Sequence, residues 1–338
     1  MPAISILLPC YNACLTLEEA LTSLSNQTFQ DYEIIAVDDG SSDSTLEILR
    51  KWRSSDRRIK VLSTPHRGII HALNSGLKRC RAPLVARMDA DDRCHPERLT
   101  KQIAYFCSHP DTSLVSCRVA GFPENNLREG FRIYIEWLNG LVTHEEICRE
   151  IFIESPFPHP SVMFKRADVL RVGGYLDKGW AEDYDLWLRM HLQGMRFAKI
   201  PRCLLEWRER TDRLTRSDSR YSLENFLRAK AFYLSSGPLT DRDAVYIWGS
   251  GMIGRRLSKH LLRNNNPLAA FIDIDRVKIG RTLRGFPIIP PEALQESLAK
   301  YQRPVILSAV GARGARQKIR EFLSSSGLRE GFDWLAVA

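Results

Sequence analysis

Short apolar runs and amphipathic stretches alternate along the first hundred residues. Ile4–Leu8 is a nearly unbroken apolar run, the pattern of a strand buried on both faces. Leu17, Leu21 and Leu24 then recur at helical spacing, and Tyr32–Val37 predicts a second strand. Ser44-Thr45-Leu46-Glu47 matches a capping box, followed by Leu46, Leu49 and Trp52 on one helical face. Ile70, Leu73 and Leu77 predict a further helix, Pro83–Met88 a third strand, and Pro96 opens a helix carrying Leu99, Ile103 and Phe106. Such alternation predicts an α/β fold, a parallel sheet covered by helices. Residues 110–180 are less regular. There Phe157-Pro158-His159-Pro160 predicts a loop, Ser161–Lys165 a strand, Gly173-Gly174 a turn, and Glu182–Leu192 a helix with Leu186 and Met190 inward.

Leu223–Leu234 reads as helical, and Ser235-Ser236-Gly237-Pro238 has linker composition. The strand–helix rhythm then restarts. Val245–Trp248 leads into Gly249-Ser250-Gly251-Met252-Ile253-Gly254, which opens a helix over Arg255–Leu262; Leu268–Ile272 ends at Asp273, 19 residues after Gly254. A helix over Pro291–Lys300 and a strand over Pro304–Val310 precede a second glycine turn, Gly311-Ala312-Arg313-Gly314. The expected domains are therefore 1–236 and a smaller Rossmann-like unit, 240–338, of about half a doubly wound fold.

Ligands of parallel sheets bind beyond the carboxyl ends of the strands. Here each of the first three predicted strands ends in a polar cluster: Pro9-Cys10-Tyr11-Asn12, Asp38-Asp39-Gly40-Ser41, and Asp89-Ala90-Asp91-Asp92. Asp89 and Asp91, two apart on a strand, face the same way and suit a hard dication such as Mg2+ or Mn2+. An acidic turn ahead of a helix is the plain alternative for so short a pattern.

The order of these segments resembles the nucleotide-sugar-dependent, inverting glycosyltransferases of family 2, which have the GT-A fold. The resemblance runs through Ile4–Asn12, Val37–Asp43, Arg67-Gly68 with Ala72–Gly76, Ala86–Asp92, Pro96–Leu99, His159–Met163 and Glu182–Trp187, over about residues 1–230. It implies sugar transfer from a nucleoside-diphosphate-sugar donor to a hydroxyl of a glycan or lipid-linked acceptor, in polysaccharide, lipopolysaccharide or other glycan biosynthesis. It also implies a GT-A domain, a mostly parallel sheet flanked by helices, over that stretch; the Rossmann-like domain that follows looks instead like the small nucleotide-binding domains attached to some sugar-modifying enzymes.

By the same resemblance Pro9, Tyr11, Asp38, Asp39, Arg67, Arg87 and Asp89 line the donor site, with Tyr11 against the base and Asp39 accepting its hydrogen bonds. Asp38 helps or caps the next helix. Arg87 meets a donor phosphate or base edge, or clamps Asp39. Asp91 is the direct metal ligand and Asp89 lies in its shell. Asp183, ahead of Glu182, is the candidate general base; complementing the helix dipole is the alternative for both. His159 touches acceptor or diphosphate, or packs in its Pro-bracketed loop. Gly249, Gly251, Gly254 and Asp273 form a candidate second nucleotide site, the glycines admitting a diphosphate to the helix start.

Composition narrows the classes further. Lys and Arg exceed Asp and Glu by 49 to 40, a formal charge of +9, and much of the excess lies in Arg202–Arg220. That stretch lacks the patterns of nucleic-acid-binding motifs, which excludes nucleic acid as the expected partner. It reads as a solvated basic face or a peripheral membrane contact. The eight cysteines show no CxxC pair, so a reducing, cytoplasmic location is expected. No apolar run approaches the ~18 residues of a membrane span, and Ile4–Leu8 has no basic leader. Two other classes stay open: an inactive nucleotide-sugar-binding or assembly protein, and an NAD(P)-dependent oxidoreductase working through the C-terminal turn.

Overall fold

The computed structural model describes residues 1–210, 216 and 218–338. The chain forms two compact units, one of 1–147, 156–178 and 182–217, the other of 148–155, 179–181 and 218–338.

In the first unit an eight-stranded sheet runs in the order β3-β2-β1-β4-β7-β6-β8-β5. Its strands are β1 (Ile4–Cys10), β2 (Tyr32–Asp38), β3 (Ile59–Ser63), β4 (Leu84–Arg87), β5 (Arg93–Cys94), β6 (Thr112–Phe122), β7 (Met163–Lys165) and β8 (Arg196–Arg208). β1, β2, β3 and β4 pair in parallel; β7 runs antiparallel to β4 and β6, while β8 pairs in parallel with β6 and antiparallel with β5. All seven residues of β1 and of β2 are buried, as the unbroken apolar runs require. The helix Ile69–Arg79 lies so close to them that a Cβ on Gly76 would stand 2.2 Å from Leu7 Cδ1.

The predicted helices are present at Leu17–Ser25, Thr45–Ser55, Ile69–Arg79, Arg98–Ser108, Glu182–Leu192 and Leu223–Ser235. The capping box is not. Ser44 makes no side-chain cap bond; the carboxylate of Asp43 accepts the Thr45 N–H at 3.0 Å instead. The strand expected over Pro83–Met88 is the fourth, because β3 precedes it. β6, β8 and the helix Glu129–Gly140 fill the stretches that sequence pattern left unassigned.

The second unit carries a six-stranded sheet in the order β11-β12-β10-β9-β13-β14. Its strands are β9 (Ala244–Trp248), β10 (Leu268–Ile272), β11 (Thr282–Leu283), β12 (Phe286–Ile289), β13 (Pro304–Ser308) and β14 (Trp334–Ala336). Five are parallel and β11 is antiparallel to β12. This is more than the half-fold expected, since β12 and β14 extend the sheet on both sides. The helix expected over Pro291–Lys300 is a 3-10 turn, Pro291–Ala293, followed by the short helix Leu294–Leu298.

Within the basic stretch Arg202–Arg220, residues 211–215 and 217 lie outside the described residues. Of the others, Arg202 pairs with Glu97 at 2.9 Å, Arg216 with Glu209, and Arg220 with Asp218 at 2.6 Å. Among the described residues no helix is long and apolar enough to cross a membrane.

Candidate active site

Because β1 lies between β2 and β4, their three carboxyl ends are neighbours. Backbone bonds carry the contact beyond the strands: Asp39 N–H donates to Cys10 C=O at 2.9 Å and Met88 N–H to Leu7 C=O at 3.1 Å. The loop after β1 is tied to the loop after β2. Asn12, at φ 46°, accepts the Ser42 N–H through Oδ1 at 2.9 Å, and its own N–H reaches Ser41 Oγ at 3.0 Å. Pro9 is buried within this paired segment.

Tyr11 projects from this rim, 49% exposed, and stacks on His66 with ring centroids 4.1 Å apart. His66 Nδ1 also lies 3.0 Å from Asp39 Oδ2. The buried Asp39 carboxylate accepts the N–H groups of Arg67 and Gly68 at 3.0 and 2.8 Å. Arg67 therefore serves Asp39 through its backbone, while its side chain is exposed. Asp38, also buried, accepts from Ser41 N–H and Ser63 Oγ, both at 3.3 Å, and so braces the turn against the end of β3.

Arg87, at the end of β4, is 2% exposed. Its ion-pair partner is Asp89 and not Asp39. Asp89, Asp91 and Asp92 each bring a carboxylate oxygen to within 4.8 Å of one another, an all-oxygen donor set that suits a hard divalent cation. Asp92 is the member that strand alternation did not single out. It is buried and accepts the Arg208 N–H at 2.8 Å, while Arg208 Nε donates to the Asp91 carbonyl at 2.6 Å. The end of β8 thus fixes the acidic turn. Arg98, in the Pro-Glu-Arg-Leu segment, was likewise without an assigned role. Its buried guanidinium donates to Arg87 C=O at 2.7 Å and Val162 C=O at 3.3 Å, joining β4 to the segment that enters β7.

That segment carries His159. The Arg87 N–H donates to Val162 C=O at 2.9 Å, so the loop after Pro158 runs beside β4. His159 is buried, with Nε2 2.9 Å from Tyr175 Oη. Asn74 grips Tyr175 from the other side, donating to its carbonyl at 2.7 Å and accepting its N–H at 3.1 Å. Burial, with Arg87 nearby, holds His159 far below the usual imidazole range, so the ring is neutral. Burial also pushes the Tyr175 hydroxyl up, so it stays a proton donor.

The helix Glu182–Leu192 supplies the remaining carboxylates. Glu182 is buried and Asp183 partly so. Burial and the like charge of Glu182 push the Asp183 carboxyl up to about 7, against weaker opposing pulls from the Tyr184 N–H and Arg87. Asp185 is different. Fully buried, it pairs with Arg189 at 2.7 Å, and that guanidinium holds the carbonyls of Val172 and Gly174 at 2.6 and 2.8 Å. It is a strut for the glycine turn.

In the second unit Gly249 and Gly251 lie in the turn between β9 and the helix Met252–Arg263, and Gly254 lies in the first turn of that helix. Asp273, expected to face a ribose, accepts Ser250 N–H and Asp275 N–H, each at 3.0 Å, and lies 3.3 Å from Lys278 Nζ.

Residues 5–173, half of the chain, match the model of the glycosyl transferase family 2. The amylovoran biosynthesis glycosyltransferase AmsE of Erwinia amylovora is 35% identical over 211 residues, covering 62% of this chain and 77% of that protein. The O-antigen biosynthesis glycosyltransferase WbnJ of Escherichia coli is 29% identical over 238 residues, 67% of this chain and 90% of its own. Among solved structures, S. aureus TarS 1–349 in complex with UDP-GlcNAc superposes with a TM-score of 0.58 at 20% identity, over 77% of this chain and 72% of that one. The mannosyltransferase PcManGT from Pyrobaculum calidifontis, with GDP-Man and Mn2+, gives 0.51 at 21%, over 69% and 62%. These neighbours share the fold, which is of the GT-A type. Family model, relatives and fold agree, and the chain belongs to glycosyl transferase family 2.

Proposed function

We propose that this glycosyltransferase is inverting and metal-dependent, and transfers a sugar from a nucleoside-diphosphate-sugar to a hydroxyl of a glycan or lipid-linked acceptor in cell-envelope glycan assembly. The observation that carries the reading is the position of Arg87. One buried cation pairs with Asp89 of the acidic triad and acts electrostatically on His159, Tyr175 and Asp183. The Arg87–Asp89 pair, with the pull of Arg87 on Asp183, supports reading the triad and the candidate base as parts of one site.

In this reading Tyr11 offers a ring face to the base and Asp39 accepts its hydrogen bonds, with the Arg67 and Gly68 N–H groups bracing that carboxylate and Asp38 bracing the turn that carries it. Asp91 and Asp89, joined by Asp92, would hold Mg2+ or Mn2+, and such an ion would supply positive charge to neutralise a diphosphate leaving group. Asp183 takes the acceptor proton as the hydroxyl oxygen attacks the anomeric carbon. A carboxyl raised to about 7 is matched to that task, because it is substantially ionised at neutral pH yet basic enough to accept a proton. Glu182 raises it by repulsion. His159, neutral and bonded to Tyr175, holds the Tyr175 hydroxyl in place. Two facts support the choice of donor and metal: the TarS and PcManGT structures carry UDP-GlcNAc, and GDP-Man with Mn2+. The names of the relatives AmsE and WbnJ support glycan assembly.

A panel of UDP-, GDP- and dTDP-sugars assayed for hydrolysis, with manganese and with EDTA, tests the proposal. Turnover of at least one donor is expected with metal only, and Asp91→Asn should abolish it while the thermal midpoint without metal is kept. Equal turnover in EDTA, or full activity of Asp91→Asn, would remove the metal from the mechanism.

A further inference from the structure

The reaction proposed above uses nothing from residues 218–338, yet that unit contains a cavity of about 730 Å³, within the range of small-molecule sites. The cavity lies at the carboxyl ends of β9, β10 and β13. β9 is the first strand of this sheet in the chain and sits between β10 and β13; the chain steps from β9 to β10 on one side and, after β12, crosses back to place β13 on the other, so the strand order reverses at β9. That reversal is where open parallel sheets leave a crevice for ligands.

Three kinds of chemistry meet there. Trp248, Ile253, Ile274, Val310 and Phe322 give apolar walls. Asp273, 8% exposed, sets a carboxylate at the end of β10, and Lys278 at 3.3 Å offsets its charge. The helix Met252–Arg263 starts at the cavity, and its first intrahelical donor is the Arg255 N–H, to Gly251 C=O at 2.9 Å. The N–H groups of Met252 and Ile253 precede that bond and have no acceptor among the described residues.

The glycines divide by cause. Gly249 has φ +108°, and a Cβ on it would lie 2.7 Å from Val310 Cγ2; on Gly254 it would lie 1.9 Å from the Gly249 carbonyl oxygen. The fold itself demands these two. Gly251 has an ordinary φ of −75°, and a Cβ there would meet nothing within 4 Å. No atom of this unit requires glycine at 251, although it lines the cavity. Its bareness leaves room for something outside the chain.

We propose that this unit binds a nucleoside diphosphate: base against the apolar walls, ribose hydroxyls toward Asp273, diphosphate on the N–H groups of the Gly251 turn. The inference does not rest on the donor-site reading of the first unit. Free nucleotides, dinucleotides and nucleotide-sugars share this chemistry, so the test separates them.

The 338-residue chain in EDTA is titrated calorimetrically with ADP, UDP, NAD and UDP-N-acetylglucosamine. At least one is expected to bind, and the tightest names the source. Its binding should survive Tyr11→Ala and weaken at least tenfold in Gly251→Val. Met252→Glu gives an independent check. Residue 252 is 57% exposed, and an acid suits a helix start, so the fold is kept while a diphosphate is repelled. Manganese-dependent donor turnover, read separately, should be unchanged in both second-unit variants. No binding by any of the four, binding that disappears in Tyr11→Ala, or binding that Gly251→Val and Met252→Glu both leave intact overturns the proposal, whatever the turnover assay shows.

Discussion

Asp183 is placed to be costly to the fold and useful to the reaction for the same reason. Burial and the neighbouring Glu182 disfavour its charge, raising the carboxyl from 3.8 to about 7. The folded state therefore holds the proton more tightly than the unfolded chain. Its stabilising effect is complete below about pH 4 and is lost as pH rises through about 7. Asp183→Asn removes the titration, so the variant should melt higher than the wild type at pH 8 and equal it below pH 4. The same variant should lose about 10²–10⁴-fold in kcat, with the donor KM nearly unchanged, since the lost proton acceptor acts on the acceptor hydroxyl. For the wild type, kcat/KM for the acceptor should rise tenfold per pH unit up to about 7 and then level off. A pH profile flat through 7, or a variant that melts lower at pH 8, would refute the assignment. His159 does not compete for this role: its imidazole is held neutral and its Nε2 is engaged by Tyr175.

At the scale of elements, what could be read from the sequence depended on whether the cause was local. β1, β2 and β4, with the helices between them, declared themselves through apolar runs and helical spacing. β3 did not, because Lys60 and Ser63 face solvent at the sheet edge. β6 and β8 carry Arg118, Gly121, Arg202 and Cys203 within their runs and pair across some eighty residues with register shifts, so no short window shows them. Within the site, the strand-end acids were legible, whereas Asp92 and Arg98 were not, since only the path of the turn brings them to Asp89 and Arg87. The start of the helix Thr45–Ser55 shows a local rule displaced by a tertiary one. Burial opposes ionisation of Asp43, but bonds from Thr45 and Cys14 outweigh it and hold the carboxyl down at about 2. Asp43→Ala should therefore cost about 1–2 kcal/mol, and Ser44→Ala no more than about 0.5 kcal/mol. With the folded carboxyl depressed, the Asp43 contribution should be present above pH 4 and fade as pH falls toward 2. Equal losses for the two variants at pH 7 in urea unfolding would restore the capping box.

At the scale of the molecule, the chain does not pass from one unit to the next at a single point. Cys148–Ser155 and Gly179–Ala181 belong with residues 218–338, although the strands around them build the first sheet. The linker-like Ser235-Ser236-Gly237-Pro238 thus marks a change in composition inside a unit. Glu150 shows the energetic consequence. It is 4% exposed, with Arg320 at 2.7 Å and Arg316 at 3.6 Å from its carboxylate. Lys230, also buried, donates to the carbonyls of Ile153 and Val337. Cutting at the compositional break, to leave residues 1–236, removes Arg316, Arg320 and Val337 while keeping the groups they satisfy. The cut thereby loses the Glu150 ion pairs and the burial around Lys230 together, although Arg149 still lies 3.5 Å from the Glu150 carboxylate. The 1–236 chain should accordingly melt well below the 338-residue chain. Glu150→Gln separates this cause from simple loss of mass: it should destabilise the full chain, where it breaks the pairs with Arg316 and Arg320, and change little in the 1–236 chain, where those partners are gone while Arg149, at 3.5 Å, remains. Scanning calorimetry of the four proteins reads both differences at once. A loss of the same size and sign in both backgrounds would mean that residue 150 does not need residues 316 and 320, and that the chain divides at the linker after all.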